Sequence, residues 1–298
     1  MARDTPVSGW FIAQRLRLHY VDWGNAGAPP LLLLHGGMDH CRSWDWVARD
    51  LCRDFHVVAP DLRGHGDSEW ARGGGYSIGA YIYDLTQFIH QSGQAPLTII
   101  AHSLGGHVAL RYAGLFPETV SRLVVIEGLG PSPERLAERA RKGFARRMRD
   151  WCDEQRALSA RQPRRYPSIE AAEARMQARN ARLSPAQARH LTQHGLRRNE
   201  DGSYSWKFDN YVRSFTPEDI AQDEIHTLWR RISCPTLLAY GRESWATSPA
   251  DDGRLAYFRD ADLALFERAG HWVHHDRTDA FIARTRAFLA GERGGAIV

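Results

Sequence analysis

The chain has 298 residues, 43% of them hydrophobic and 10% aromatic, the balance of a globular protein able to bury a sizeable core. No apolar run approaches the roughly 20 residues of a membrane helix, and the N-terminal Met-Ala-Arg-Asp-Thr-Pro lacks the apolar segment of a secretory signal. The formal net charge of +4 comes with no nucleic-acid motif, so neither a membrane nor a nucleic acid is expected as a partner.

In chain order, residues 10–14 and 15–23 alternate like two antiparallel strands, and Gly24-Asn-Ala-Gly-Ala-Pro-Pro30 reads as the loop beyond them. Leu31-Leu-Leu-Leu34 is a continuous apolar run, as in a central strand covered on both faces, and it ends in His35-Gly-Gly-Met-Asp39. A helix over 43–51 and a strand over 55–59 follow, then the turn-rich loop Pro60-Asp-Leu-Arg-Gly-His-Gly-Asp-Ser68. Ser77 is placed to cap a helix over 78–91, with Tyr81, Leu85, Phe88 and Ile89 on its buried side. A β-branched run at 97–100, helical spacing over 104–113 and a buried strand at 120–126 complete an alternation that predicts an α/β, doubly wound, mostly parallel sheet. From 131 to 231 the alternation stops. This stretch is helical in character, broken by Pro163, Pro167, Pro185 and Pro217, with a hairpin-like piece at 196–208 whose tip is Asp201-Gly202. Sheet pattern resumes at Cys234-Pro-Thr-Leu-Leu-Ala-Tyr240, with a last strand at 263–266 and a helix over 279–289. No repeat or low-complexity linker sets the middle apart, so the expected organisation is a core of residues 1–130 and 232–298 with 131–231 inserted as a helical lid.

Between the run at 97–100 and the helix at 104 lies Ala101-His-Ser-Leu-Gly105, small-x-Ser-x-small. A strand that becomes a helix within one residue forces Ser103 into a strained backbone with its hydroxyl pushed outward, and the flanking small residues let strand and helix approach. Here the chain resembles the α/β-hydrolase family, with Ala101 in place of the usual leading glycine. The resemblance extends along essentially the whole chain through ordered landmarks: His35-Gly-Gly37, Asp61-x-Arg-Gly-His-Gly-x-Ser68, the Ser103 elbow and Gly270-His271. In that family the lid enters after the strand that follows the elbow helix, as it does here.

The resemblance implies a nucleophile, Ser103, and a late histidine as its base. The family's Gly-His signature falls on His271, with His274 and His275 as close rivals. An oxyanion needs two backbone donors. Leu104 offers one at the start of the elbow helix, and Gly37, or else Met38, stands where the family has the second. His35 and Asp61 read as architectural. At the usual position of the third member, three residues after Gly241, stands Ser244, which holds no charge. Two carboxylates can substitute: Glu127, ending the strand beside the elbow strand, and Glu243, one residue short. Glu127 is preferred on geometry, and certain haloalkane dehalogenases of the family look similar in placing the acid there.

Dehalogenases and epoxide hydrolases of this fold carry Asp where Ser103 stands, so the implied reaction is hydrolysis of small to medium carboxylic esters through an acyl-serine, with no cofactor and no metal. The stretches His35-Gly-Gly-Met-Asp-His-Cys-Arg-Ser-Trp44, Ile126-Glu-Gly-Leu-Gly-Pro131 and Gly202-Ser-Tyr-Ser-Trp-Lys-Phe208 look like the serine hydrolase-like branch. The same residues would serve C–C, amide or lactone hydrolysis or acyl transfer, or persist in a non-catalytic binding protein. The four cysteines are scattered, with no CxxC pair, which fits a cytoplasmic protein and gives a metal site no support. Residues 131–231 hold 21 basic and 14 acidic side chains, a balance of +7. Two readings of those arginines stay open: a solvated helical face, or a basic mouth that draws an anionic substrate. The segment's aromatics (Phe144, Trp151, Tyr166, Tyr204, Trp206, Phe208, Tyr211, Phe215 and Trp229) either line an acyl pocket or form its own core.

Overall fold

The computed structural model describes residues 1–73, 75–217, 219–294 and 298. Strands β1 (Ala2–Ala13) and β2 (Leu16–Gly24) form an antiparallel hairpin that turns on Gln14 and Arg15, both at positive φ. Then β3 (Pro30–Leu34), α1 (Asp45–Leu51), β4 (His56–Pro60), α2 (Ile78–Ser92), β5 (Leu97–His102), α3 (Leu104–Leu115) and β6 (Val120–Ile126) alternate. After β6 the chain leaves the sheet for α4 (Pro133–Arg141), α5 (Gly143–Ser159), α6 (Ile169–Arg179), α7 (Pro185–Gly195), the ribbon β7 (Leu196–Arg198) and β8 (Tyr204–Trp206), and α8 (Gln222–Arg231). It returns as β9 (Thr236–Gly241) and β10 (Ala261–Phe266), and closes with the single turn α9 (Val273–Asp276) and α10 (Thr278–Leu289).

Two elements differ from their sequence pattern. Strand β1 begins at Ala2, well before Trp10, because it pairs at a sheet edge with mostly exposed side chains and so carries no apolar alternation to read. The helix expected from Ser43 opens instead as a 3-10 turn, Cys41–Trp44, before α1.

The sheet runs β1-β2-β4-β3-β5-β6-β9-β10, antiparallel across β1, β2 and β4 and parallel from β4 to β10. Every residue of β5 and β9 is buried, as are Leu31 to Leu34, because helices cover both faces. Leu32, Leu34, Ile99 and Leu123 face Tyr81, Leu85, Phe88 and Val108 of α2 and α3, while Leu31, Leu33, Ile100 and Val124 face Trp44, Val47, Phe281 and Phe288 on the other side. Burial on this scale is worth about 1.5–3 kcal/mol per large apolar side chain, and it fixes the register: Leu34 lies beside Ala101, His102 beside Ile126, and Ile126 beside Ala239. Parallel strands held in this register end together. The residues that follow β3, β5, β6, β9 and β10 therefore meet at one edge.

The segment between β6 and β9 is tied to the core at several points. Arg111 of α3, itself buried, makes a two-pronged pair with Asp219, both bonds 2.7 Å. Tyr76 donates to Asp209 at 2.6 Å, and His40 Nε2 donates to the Leu191 carbonyl at 2.9 Å. Serines 132, 168 and 184 cap α4, α6 and α7, the last in a reciprocal box with Gln187.

Candidate active site

Ser103 occupies the turn from β5 into α3 with φ 50° and ψ −112°, a region that costs a residue with a Cβ about 1–3 kcal/mol. Its amide donates to the Ile126 carbonyl at 2.8 Å, and its hydroxyl does not cap α3, which leaves that group for other work. The glycines around it answer to tight contacts. A Cβ on Gly105 would lie 2.6 Å from the His35 carbonyl oxygen and 2.7 Å from that of Leu34; one on Gly106 would lie 2.9 Å from Gly128 Cα. The crowding thus comes from the ends of β3 and β6, and only secondarily from the elbow's own strand, which the sequence had suggested as the cause. Gly36 is pinned likewise, since a Cβ there would sit 2.7 Å from His102 Nδ1 and 3.2 Å from Ser103 Cβ. The loop after β3 therefore crosses directly over the elbow.

His271 follows β10, and its Nδ1 donates to Glu127 Oε2 at 2.5 Å. That carboxylate is fully buried at the end of β6, with backbone φ 47°. A buried charge needs compensation, and Glu127 has it: Ser244 Oγ donates to Oε2 at 2.6 Å and the Gly241 amide to Oε1 at 3.0 Å. Glu243, the other carboxylate raised from the sequence, is half exposed and pairs with Arg182. The structure therefore brings Glu127 to His271 and leaves Glu243 at the surface. His274 and His275 are buried beyond the cavity wall, His274 stacked 4.5 Å from Trp44. Burial holds both imidazoles neutral, His275 down at about 3 and His274 well below its ordinary value.

Ser103, His271, Glu127, Leu104, Gly37 and Met38 line one cavity of about 1830 Å³. Leu104 is the first residue of α3, where a backbone N–H has no partner within the helix. Gly37 and Met38 are both exposed on the wall, Met38 at φ 61°. His35 and Asp61 serve the frame instead. The buried His35 ring donates through Nδ1 to the Gly36 carbonyl (2.7 Å) and accepts the Leu62 amide at Nε2 (2.9 Å). Asp61 accepts from the Cys41 amide, the His19 ring and the Asp67 amide at 2.7–2.9 Å. Those bonds hold its carboxyl well below the usual range in spite of burial.

Two residues near the site were not assigned a role from the sequence. Ser244 stands at the position where the acid is first sought and hydrogen-bonds Glu127, the carboxylate that His271 meets. His102, next to Ser103, donates through Nε2 to the His271 carbonyl (3.0 Å), and its ring lies 4.7 Å from that of His271. Burial, then the His271 ring, pushes its pKa well down. Its position immediately before the elbow serine was the available signal. Of the aromatics in the insertion, Tyr166, Trp206, Phe208 and Phe215 line the cavity, whereas Trp229 is buried in the core and Phe144 points to solvent. Trp245, from the loop after β9, lies 4.8 Å from the His271 ring.

Among the described residues three groups have donor atoms close enough for a metal ion: His19–Cys41–Asp61, Asp45–His190–His194 and Asp39–His274–His275. The first is already joined by the His19–Asp61 bond, and in the second Asp45 is held by Arg42 and Arg49. The third offers two imidazoles and a carboxylate of the kind zinc takes. The four cysteines are free, and among the described residues no helix is long and apolar enough to cross a membrane.

A family model described as alpha/beta hydrolase fold matches residues 29–278. Among curated proteins the chain is 28% identical to esterase Rv0045c of Mycobacterium tuberculosis over 273 residues, 90% of this chain and 84% of that one. It is 34% identical to lipase LipV of the same organism over 110 residues, 37% of this chain and 41% of the lipase. Among solved structures, the thioesterase domain from the curacin biosynthetic pathway superposes with a TM-score of 0.83 at 23% identity, covering 95% of this chain and 99% of the domain. The crystal structure of esterase Rv0045c gives 0.75 at 25% identity, over 96% and 92%. The thioesterase likeness establishes the fold alone.

Proposed function

The chain belongs to the α/β-hydrolase family, and from that premise we propose that it is a serine hydrolase cleaving carboxylic esters through an acyl-serine. One observation carries the reading. Ser103 sits strained in the elbow with its hydroxyl not engaged in capping α3, and it shares a cavity with His271, whose Nδ1 is anchored on a buried, hydrogen-bonded Glu127. The 28% identity to an esterase over 90% of the chain supports it.

With Nδ1–H donated to Glu127, the lone pair of His271 is on Nε2, the tautomer a general base needs. Ser103 Oγ attacks the acyl carbon as its proton passes to Nε2, and Glu127 stabilises the imidazolium that forms. The carbonyl electrons move onto oxygen, which the Leu104 amide and the amide of Gly37 receive. Nε2 then returns the proton to the departing alcohol. Water, deprotonated by the same nitrogen, attacks the acyl-serine to release the acid and restore Ser103. The helical insertion acts as the lid over this chemistry, and no step calls for a cofactor or metal.

The test is initial rates on p-nitrophenyl esters from acetate to dodecanoate, for the native protein and Ser103→Ala. Turnover lost in the variant by about 10³-fold or more supports the proposal. Turnover that persists in Ser103→Ala, or none on any ester, rejects it.

A further inference from the structure

The cavity wall is strongly and one-sidedly charged. Among the described residues it carries ten arginines against three carboxylates, Glu127, Asp219 and Asp276. Those three are committed: Glu127 to His271, Asp219 to Arg111, and Asp276 to the Gly270 amide. Outside the cavity some arginines, such as Arg42, Arg63, Arg254, Arg284, Arg286 and Arg293, pair with carboxylates and, among the described residues, others such as Arg53, Arg189 and Arg259 do not. Of the ten on the wall, only Arg111 and Arg182 pair with one among the described residues.

Three of the unpaired ones come from separate elements: Arg161 just after α5, Arg179 at the end of α6, and Arg213 in the 3-10 turn Asn210–Arg213. Arg213 lies over the Phe208 ring, its Cζ 5.6 Å from the centroid, and meets no carboxylate among the described residues. Partial burial, then the charges of Arg179 and Arg161, lowers its pKa, so each of those two lies near Arg213. All three are solvent-exposed, so their repulsion is screened and modest, and an anion seated among them would relieve it. The size agrees: about 1830 Å³ exceeds the roughly 300–1,000 Å³ of an ordinary small-ligand pocket. A simple ester would leave most of it empty.

Building on the serine-hydrolase reading of the same cavity, we propose that Arg161, Arg179 and Arg213 bind an anionic group, phosphate or carboxylate, on a non-reacting part of the substrate. The physiological substrate is then an acyl ester or thioester with an anionic tail. Arginine forks match both oxyanions in two-pronged geometry, so the source of the charge is for experiment to separate.

The test compares kcat/KM for p-nitrophenyl butyrate, which is neutral, with mono-p-nitrophenyl glutarate (a carboxylate) and butyryl-coenzyme A (phosphates on the leaving group). Native protein and an Arg179→Gln/Arg213→Gln variant are assayed at 20 and 300 mM salt. At least one anionic substrate should exceed the neutral one tenfold or more at low salt. That ratio should shrink at high salt and drop at least tenfold in the variant. Whichever substrate gains identifies the anion. A ratio near one for both, or one the variant leaves unchanged, overturns the proposal. Calorimetric titration of Ser103→Ala with coenzyme A and with glutarate separates this from failure of the hydrolase reading. Binding that the double variant abolishes upholds the anion site even if no ester is turned over. Turnover of the neutral ester with no binding and no preference removes the anion site alone.

Discussion

The sharpest test of the site is Glu127→Gln beside Glu243→Gln. Glu127 Oε2 accepts from His271 Nδ1 at 2.5 Å and from Ser244 at 2.6 Å, while Oε1 accepts the Gly241 amide at 3.0 Å. A glutamine has one oxygen where the carboxylate has two. If that oxygen faces His271, the amide NH₂ meets the Gly241 N–H, donor against donor. If it faces Gly241, the NH₂ donates to Nδ1, the ring proton moves to Nε2, and no lone pair remains for the Ser103 proton. Either arrangement also removes the charge that offsets the imidazolium. The expected loss in kcat is about 10³–10⁴-fold, near 4–5.5 kcal/mol, with KM little changed. Glu243 and Arg182 form a half-exposed pair worth about 0–1 kcal/mol, so Glu243→Gln should stay within roughly twofold of native on the same scale. Initial rates on p-nitrophenyl butyrate, with circular dichroism to establish folding, decide it. Should folded Glu127→Gln keep a tenth of native activity, or Glu243→Gln prove the more damaging, the assignment of the acid is wrong.

Further outcomes follow from the same geometry. Ser244→Ala removes one charge-assisted donor from Glu127 and should lower kcat about tenfold, the lower end expected for such a bond; an unchanged kcat would make Ser244 a bystander. Ser103→Gly should unfold at higher urea than Ser103→Ala, by about 1 kcal/mol, because glycine relieves the strain at φ 50° and ψ −112°; a less stable glycine variant would argue against strain. Gly105→Ala should fail to give soluble protein, since its Cβ would meet backbone oxygens at 2.6 and 2.7 Å, and a native-like melting curve would contradict this contact. Burial holds His35 and His275 at about 3 and His65 and His107 at about 4, so below the ordinary value near 6.5 the unfolded chain takes up protons that the folded chain refuses. Stability is then complete above pH 7 and falls as pH drops toward 4, with a limiting slope of about 5 kcal/mol per unit for four such groups; a urea midpoint that stays flat from pH 7 to 5 would show that these rings are not buried neutral.

What could be read from the sequence was what local physics determines. Apolar runs such as Leu31 to Leu34 announce central strands because both faces are covered, and the Ser103 elbow is visible because its constraint lies within five residues. The edge strand from Ala2 escaped notice for the opposite reason: its backbone is paired, but its side chains face water. The acid was legible only as a choice, because its contact depends on β6 and β10 ending at the same level, 144 residues apart in the chain. Ser244 looked like a missing carboxylate, and only the bond to Glu127 shows it supporting the one that is present. The arginines were the least legible of all. Helical spacing gives the same pattern for a charge facing solvent and a charge facing a cavity, and whether a guanidinium has a partner depends on what other elements bring to it. Arg111 and Arg213 are alike as sequence, yet one is locked to Asp219 and the other stands over Phe208 with no carboxylate among the described residues. That difference, invisible in periodicity, is where the substrate's charge is to be sought.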